Sequence, residues 1–202
     1  MEPPTPPELP TETLSDGGWI QVEVSVETLF EMPVMAVTGA TVRFEDERTR
    51  RLLREATGGR VDQQIRFFAG TTLGFDPPPP PGVSPTMFAP TLRSEVRRQF
   101  ARRLRERGLE DVQRQRTERL RVDGNRAKLT QFRAADTIDD RRLPLECWVA
   151  VWTDRSDVKL VTGGYPDCPL ADVFDLDGQN EALTRPGTEY REEFLSLLRA
   201  VE

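Results

Sequence analysis

Histidine is absent from this chain of 202 residues, and lysine and cysteine occur only twice each, as Lys128 and Lys159 and as Cys147 and Cys168. Histidine is the usual acid–base group near neutral pH and a frequent metal ligand, so its absence removes most familiar catalytic and metal sites. Two cysteines without C-x-x-C spacing cannot form a secreted disulfide framework, which favours a reducing compartment and a cytoplasmic address. Long apolar runs are missing too. The longest, Cys147 to Trp152, falls far short of the about 20 residues that a membrane-spanning helix needs. The opening Met1-Glu2-Pro3-Pro4-Thr5-Pro6-Pro7 has acid and proline where a signal peptide needs positive charge and an apolar stretch, so neither export nor a membrane partner is expected.

Arginine, by contrast, is abundant: 26 of the 28 basic residues, set against 34 acids for a net charge of −6. This composition resembles that of a protein from a GC-rich or salt-adapted organism, such as a haloarchaeon. The charge is unevenly spread. Residues 1–92 carry −6 and residues 143–202 carry −7, whereas residues 93–142 hold 16 basic groups and nine acids, +7. Either this basic island pairs with the acidic flanks inside the fold, or it forms an exposed face for an anionic partner. It lacks aromatics interleaved with its arginines for base stacking, which favours internal pairing.

Five prolines in the first ten positions and almost nothing bulky read as a disordered tail over residues 1–17. Next, Ile20, Val22, Val24 and Val26 alternate with Gln21, Glu23, Ser25 and Glu27, the pattern of a strand with one buried face. Val34–Val37 and a run through Val42 and Phe44 continue the β structure. Glu45, Asp46 and Glu47 open a helix that holds Leu52, Leu53 and Ala56 and stops at Gly58-Gly59. Alternation at Val61, Gln63, Ile65, Phe67 and Ala69 predicts a strand over 61–73. A proline crossover loop follows over 76–90, a stiff connection expected to enter neither helix nor central strand, or alternatively a proline-rich ligand for an aromatic groove.

Leu92, Val96, Phe100 and Leu104 repeat every four residues and predict a helix over 91–107, with Arg93, Arg97, Arg98, Arg102 and Arg105 around the rest of its circumference. Leu109 to Val122 reads as a strand, and Asp123-Gly124 signals a two-residue hairpin that puts Leu120 opposite Ala127. The return strand leads to a polar loop over 136–142. Leu145, Cys147, Val149 and Val151 alternate with Trp148, Ala150 and Trp152, so this strand is apolar on both faces and interior. A turn at Asp154-Arg155-Ser156-Asp157 leads to Val158–Thr162, ended by Gly163-Gly164 and a long loop. Tyr190, Phe194, Leu197, Leu198 and Val201 define a closing helix with Thr188 as its cap. A strand apolar on both faces needs cover on both. The fold class expected is therefore α+β: a mostly antiparallel central sheet flanked by helices, an α/β/α sandwich, in a single domain over 18–202.

The succession of helix, Gly108-Leu109-Glu110-Asp111-Val112 strand, Gly124-Asn125-Arg126-Ala127 hairpin, long strand, return strand ending at Gly163-Gly164-Tyr165, and C-terminal amphipathic helix resembles the PsbP-like superfamily over about residues 91–202. The resemblance implies an antiparallel sheet flanked by helices and a binding or assembly role. No functional residue carries over from it.

Cys147, mid-strand among apolar neighbours, is expected to be a buried inert thiol; Cys168, in a loop, is the better reactive candidate but has no base beside it. Lys128 lies in the basic island, where cationic neighbours would lower its pKa, though a solvated hairpin lysine is the plainer reading. Asp172 to Gly178 is similar to an EF-hand loop, but alignment on Gly178 puts Val173 and Thr184 where carboxylates are needed, so no metal is expected. Gly58-Gly59 and Gly163-Gly164 lack any phosphate-loop context, and the adjacent acids Asp139-Asp140 and Glu110-Asp111 diverge in extended chain. Trp148 and Trp152 project to one face, where they wall a pocket or pack in the core. The function expected is a non-enzymatic binding or protein-interaction domain without cofactor, meeting a protein partner or small ligand through helix 92–107 and the Trp148/Trp152 face. One alternative is nucleic-acid binding through Arg93, Arg97, Arg98, Arg102 and Arg105; a second is an enzyme using carboxylate, Arg or Cys168 chemistry.

Overall fold

A computed structural model of the chain describes residues 4–33, 35–80, 82, 85–154, 157–178 and 180–202, so Val34, Pro81, Arg155 and Ser156, which take part in the predicted second strand, proline tract and last turn, lie outside the described residues. The strands are β1 (Trp19–Met32), β2 (Met35–Asp46), β3 (Phe67–Asp76), β4 (Glu110–Val122), β5 (Asn125–Ile138), β6 (Arg141–Asp154) and β7 (Asp157–Pro166); the helices are α1 (Thr11–Asp16), α2 (Glu47–Ala56), α3 (Pro85–Glu106), α4 (Leu170–Phe174) and α5 (Gly187–Arg199). All strand neighbours are antiparallel in one sheet of order β1-β2-β3-β7-β6-β5-β4, an α+β fold.

Local chemistry sets most of this order. Asp123 and Gly124, both at positive φ, make the expected tight turn, and Leu120 does pair with Ala127. Asp139 and Asp140, at φ 51° and 58°, do the same between β5 and β6, so the polar loop expected over 136–142 is a two-residue hairpin. Asp46 caps α2 by accepting from the Thr49 N–H at 2.9 Å. Alternate residues of β6 feed two cores, as its pattern predicted. Leu145, Cys147, Val149 and Val151 lie with Leu53 of α2, Val96 and Phe100 of α3 and Phe174 of α4. Trp148, Ala150 and Trp152 lie with Leu14 of α1 and Tyr190, Phe194 and Leu198 of α5.

Several expectations are corrected. Residues 4–17 are not a free tail: they form α1 and bury Leu9 and Leu14, with Pro7 and Leu9 seated over Gly70, where a Cβ would stand 2.6 Å from Leu9. Ile20, Val22, Val24 and Val26 are 42–62% exposed rather than buried. β1 is an edge strand, a register shift between Gln21 and Glu23 breaks its alternation, and the two cores take only Trp19, Leu29, Phe30 and Met32 from it. The strand expected from Val61 begins only at Phe67 and runs on to Asp76. α3 begins at Pro85 and contains Pro90, inside the expected crossover; a first-turn N–H has no helical acceptor, so Pro85 costs little there. Gly163 and Gly164 lie within β7 and do not end it, because the rings of Phe194 and Phe67 occupy the places of their Cβ atoms. α4 interrupts the long loop, and α5 is entered from Pro186, with Thr188 already helical. Among the described residues no helix is long and apolar enough to cross a membrane.

Candidate anion-binding site

The β4–β5 register sets Arg119 opposite Lys128 and Arg121 opposite Arg126. Strand alternation puts all four side chains on one face, with Leu120 and Ala127 pointing to the other. Arg93, near the start of α3, joins them along a cleft of about 700 Å³. Arg114 shares their face, since it pairs with Phe132, whose ring packs on Phe100 of α3. Arg97 completes the group; burial first, then the charges of Arg114 and Arg93, hold its pKa below the ordinary arginine value. None of these seven cations forms an ion pair with a described carboxylate; Arg121 donates to the Gly124 carbonyl at 2.7 Å. Like charges directly opposite in a strand pair cost stability.

The five arginines expected to form one basic helix face are therefore divided. Arg93 lines the cleft, and Arg97 lies near enough to Arg93 and Arg114 to feel their charges. Arg98 pairs with Glu95, Arg102 with Glu106 at 3.4 Å, and Arg105 donates to the Val112 carbonyl at 3.0 Å. Their neighbour Arg103 reaches Glu27 of β1 at 2.6 Å. Compensation thus comes from the helix itself and from β1, and no described acid of residues 143–202 pairs with the arginines of α3. Arg114, Arg119, Arg121 and Arg126 were not singled out from the sequence, and Lys128 only as a lysine with cationic neighbours, although the +7 island and the Asp-Gly hairpin register together carried the signal.

The Trp148/Trp152 face is corrected as a contact surface: both indoles are at most 1% exposed beneath α5. Trp148 stacks on Phe194 and donates to Tyr165 Oη at 2.7 Å; Tyr165 donates to Glu146 Oε2 at 2.9 Å, and Gln131 to Glu146 Oε1 at 2.6 Å. Every link of this chain is satisfied internally. Burial pushes the Cys147 thiol up to about 12. Burial, then Asp167 and Asp172, also raises Cys168, so neither cysteine is a ready nucleophile at neutral pH. No group of three potential metal-binding side chains occurs among the described residues.

A second cationic centre has the opposite character. Arg66, 4% exposed, pairs with Asp46 and with Glu193 at 3.0 Å, and its guanidinium lies between the rings of Trp19 and Tyr190, 4.7 and 4.6 Å from their centroids. Glu193 also forms an ion pair with Arg185 at 2.8 Å. Burial alone would raise the Glu193 carboxyl, but Arg66 and Arg185 outweigh it and hold it below its ordinary value. This centre ties β1, the start of α2 and α5 together and offers no unpaired charge.

No curated protein matches this chain. Over residues 6–202 its sequence matches the family described as a domain of unknown function (DUF6517), and the chain belongs to that family.

Proposed function

We propose that this protein is a non-enzymatic binding domain that holds a nucleic acid by its phosphate backbone, across the cleft between the start of α3 and the β4–β5 hairpin. The observation that carries the reading is the pair of like-charged cross-strand contacts, Arg119 with Lys128 and Arg121 with Arg126, joined by Arg93 and lacking any described carboxylate. Phosphates supply the missing countercharge, and binding releases the counterions that otherwise screen the cleft. No described aromatic side chain lines it, which suits backbone contact rather than base stacking. Helices on both cores support the finer reading of an α/β/α sandwich, and the β4–β7 meander between α3 and α5 supports the PsbP-like resemblance. Two free thiols support a cytoplasmic address.

Fluorescence anisotropy with a labelled DNA duplex tests the function. Affinity is expected to fall steeply with salt, and Arg121→Glu/Arg126→Glu to weaken binding and flatten the salt slope by about one unit or more per lost phosphate contact. Binding that ignores salt or the double substitution eliminates the reading. Protein interaction keeps one observation in its favour: the exposed valines of edge strand β1, which a partner strand could cover.

A further inference from the structure

Towards the other edge of the sheet, α3 and strands β1, β2, β3, β7 and β6 line a pocket with about 100 Å³ of free space. Its inner wall is apolar: Phe67, Phe100, Leu104, Val149 and Leu160. Its rim is polar and charged. The hydroxyls of Thr41 and Thr71 lie 2.8 Å apart, and Arg43, Arg103 and Arg107 converge there with Glu23 and Glu27.

The rim charges are unequally satisfied. Arg103 pairs with Glu27 at 2.6 Å and so ties α3 to β1 beside the opening. Arg43 pairs with Glu45 and, at 3.8 Å, with Glu23. Arg107 pairs with no described carboxylate; its guanidinium lies 5.3 Å from the centroid of the Phe67 ring. One further donor of a lining residue, Arg43 Nε, is buried without a hydrogen-bond partner. A buried donor without a partner costs stability, so an unpartnered N–H beside a hollow suits an added acceptor.

We propose that this pocket binds a small monocarboxylate, its short apolar tail against Phe67, Phe100 and Leu104 and its carboxylate on Arg107 at the rim. A planar guanidinium matches a carboxylate with two parallel hydrogen bonds. The free space equals about three liquid-water volumes of ~30 Å³ each, which limits the tail to roughly three or four carbons. An inorganic anion would leave the apolar wall uncovered, and an organic cation would meet Arg107, whose charge no described carboxylate balances. The site is separate from the basic cleft and does not depend on the nucleic-acid reading.

Titration of the full chain with butyrate, followed by calorimetry and by backbone amide shifts, tests the assignment. Saturable binding is expected, with shifts at Thr71, Val149 and Leu160, and with butyramide at least about tenfold weaker because a charge-assisted contact is lost. Arg107→Gln is expected to weaken butyrate by about tenfold or more with the fold intact by circular dichroism, and Arg107→Lys to recover part of the loss. Arg121→Glu/Arg126→Glu is expected to leave butyrate affinity unchanged, which separates this site from the cleft. Absence of saturation, equal binding of butyramide, or full affinity in Arg107→Gln overturns the proposal.

Discussion

Arg66 and the hairpin arginines place the same side chain in opposite settings. Arg66 is buried, shared by Asp46 and Glu193 and clasped between Trp19 and Tyr190; Arg121 and Arg126 face one another across exposed strands with no described carboxylate on either. A buried cation must be compensated because desolvation costs several kcal/mol per ion, and the fold supplies two carboxylates and two ring faces to do it. An exposed cation is hydrated, so the fold can leave it unpaired at a cost of tenths of a kcal/mol. Where a chain retains even that small cost at two adjacent positions, the compensating charge is best sought outside the molecule.

The comparison breaks most sharply at Arg66. Arg66→Met is expected to destabilise the protein by about 3–5 kcal/mol in urea denaturation, because Asp46 and Glu193 would remain in place without their shared cation. A loss under about 1 kcal/mol would show that water, not Arg66, satisfies these carboxylates and that the two settings differ less than their geometry indicates.

Acid sharpens the same contrast. The folded-state carboxyl of Glu193 titrates below its unfolded value, so its contribution is present above the ordinary carboxylate range and is lost as pH falls through the folded value. Unfolding midpoints measured from pH 7 to pH 3 should therefore drop at the acid end, and Glu193→Gln, less stable than the parent at pH 7, should converge with it there. Parallel curves for the two proteins would mean that Glu193 titrates alike in both states.

Much of the sheet was legible because burial imprints a local period. β6 alternates between two cores within six residues, α5 repeats its apolar stripe, and Asp123-Gly124 fixes a register. Periodicity reports which residues share a face, not whether anything covers that face, so β1 read as half-buried although its valines are exposed. α1 and α4, of six and five residues, are too short to show a period. Asp139-Asp140 turns the chain with two aspartates at positive φ, a conformation these residues tolerate without advertising it. The site divides in the same way. A run of arginines marked α3 as basic, but Glu27 reaches Arg103 from 76 residues away, and the partners of Arg66 come from two distant elements. Ion pairing of that kind is tertiary. The hairpin cations were the exception, since one turn and a period of two place them face to face.

That local register also gives the gentlest test of the comparison. Arg126→Glu turns one like-charged cross-strand pair into an opposite-charged one with Arg121, so the folded state is expected to gain about 0.2–1 kcal/mol. The same substitution removes a cation from the cleft and should weaken duplex binding, with the loss shrinking as salt rises. Stability and affinity then move in opposite directions in one variant, as expected of a surface whose charge serves a partner at a small expense to the fold. A variant that loses both, measured by urea denaturation and by anisotropy on one preparation, would place Arg126 instead among the groups that hold the hairpin together.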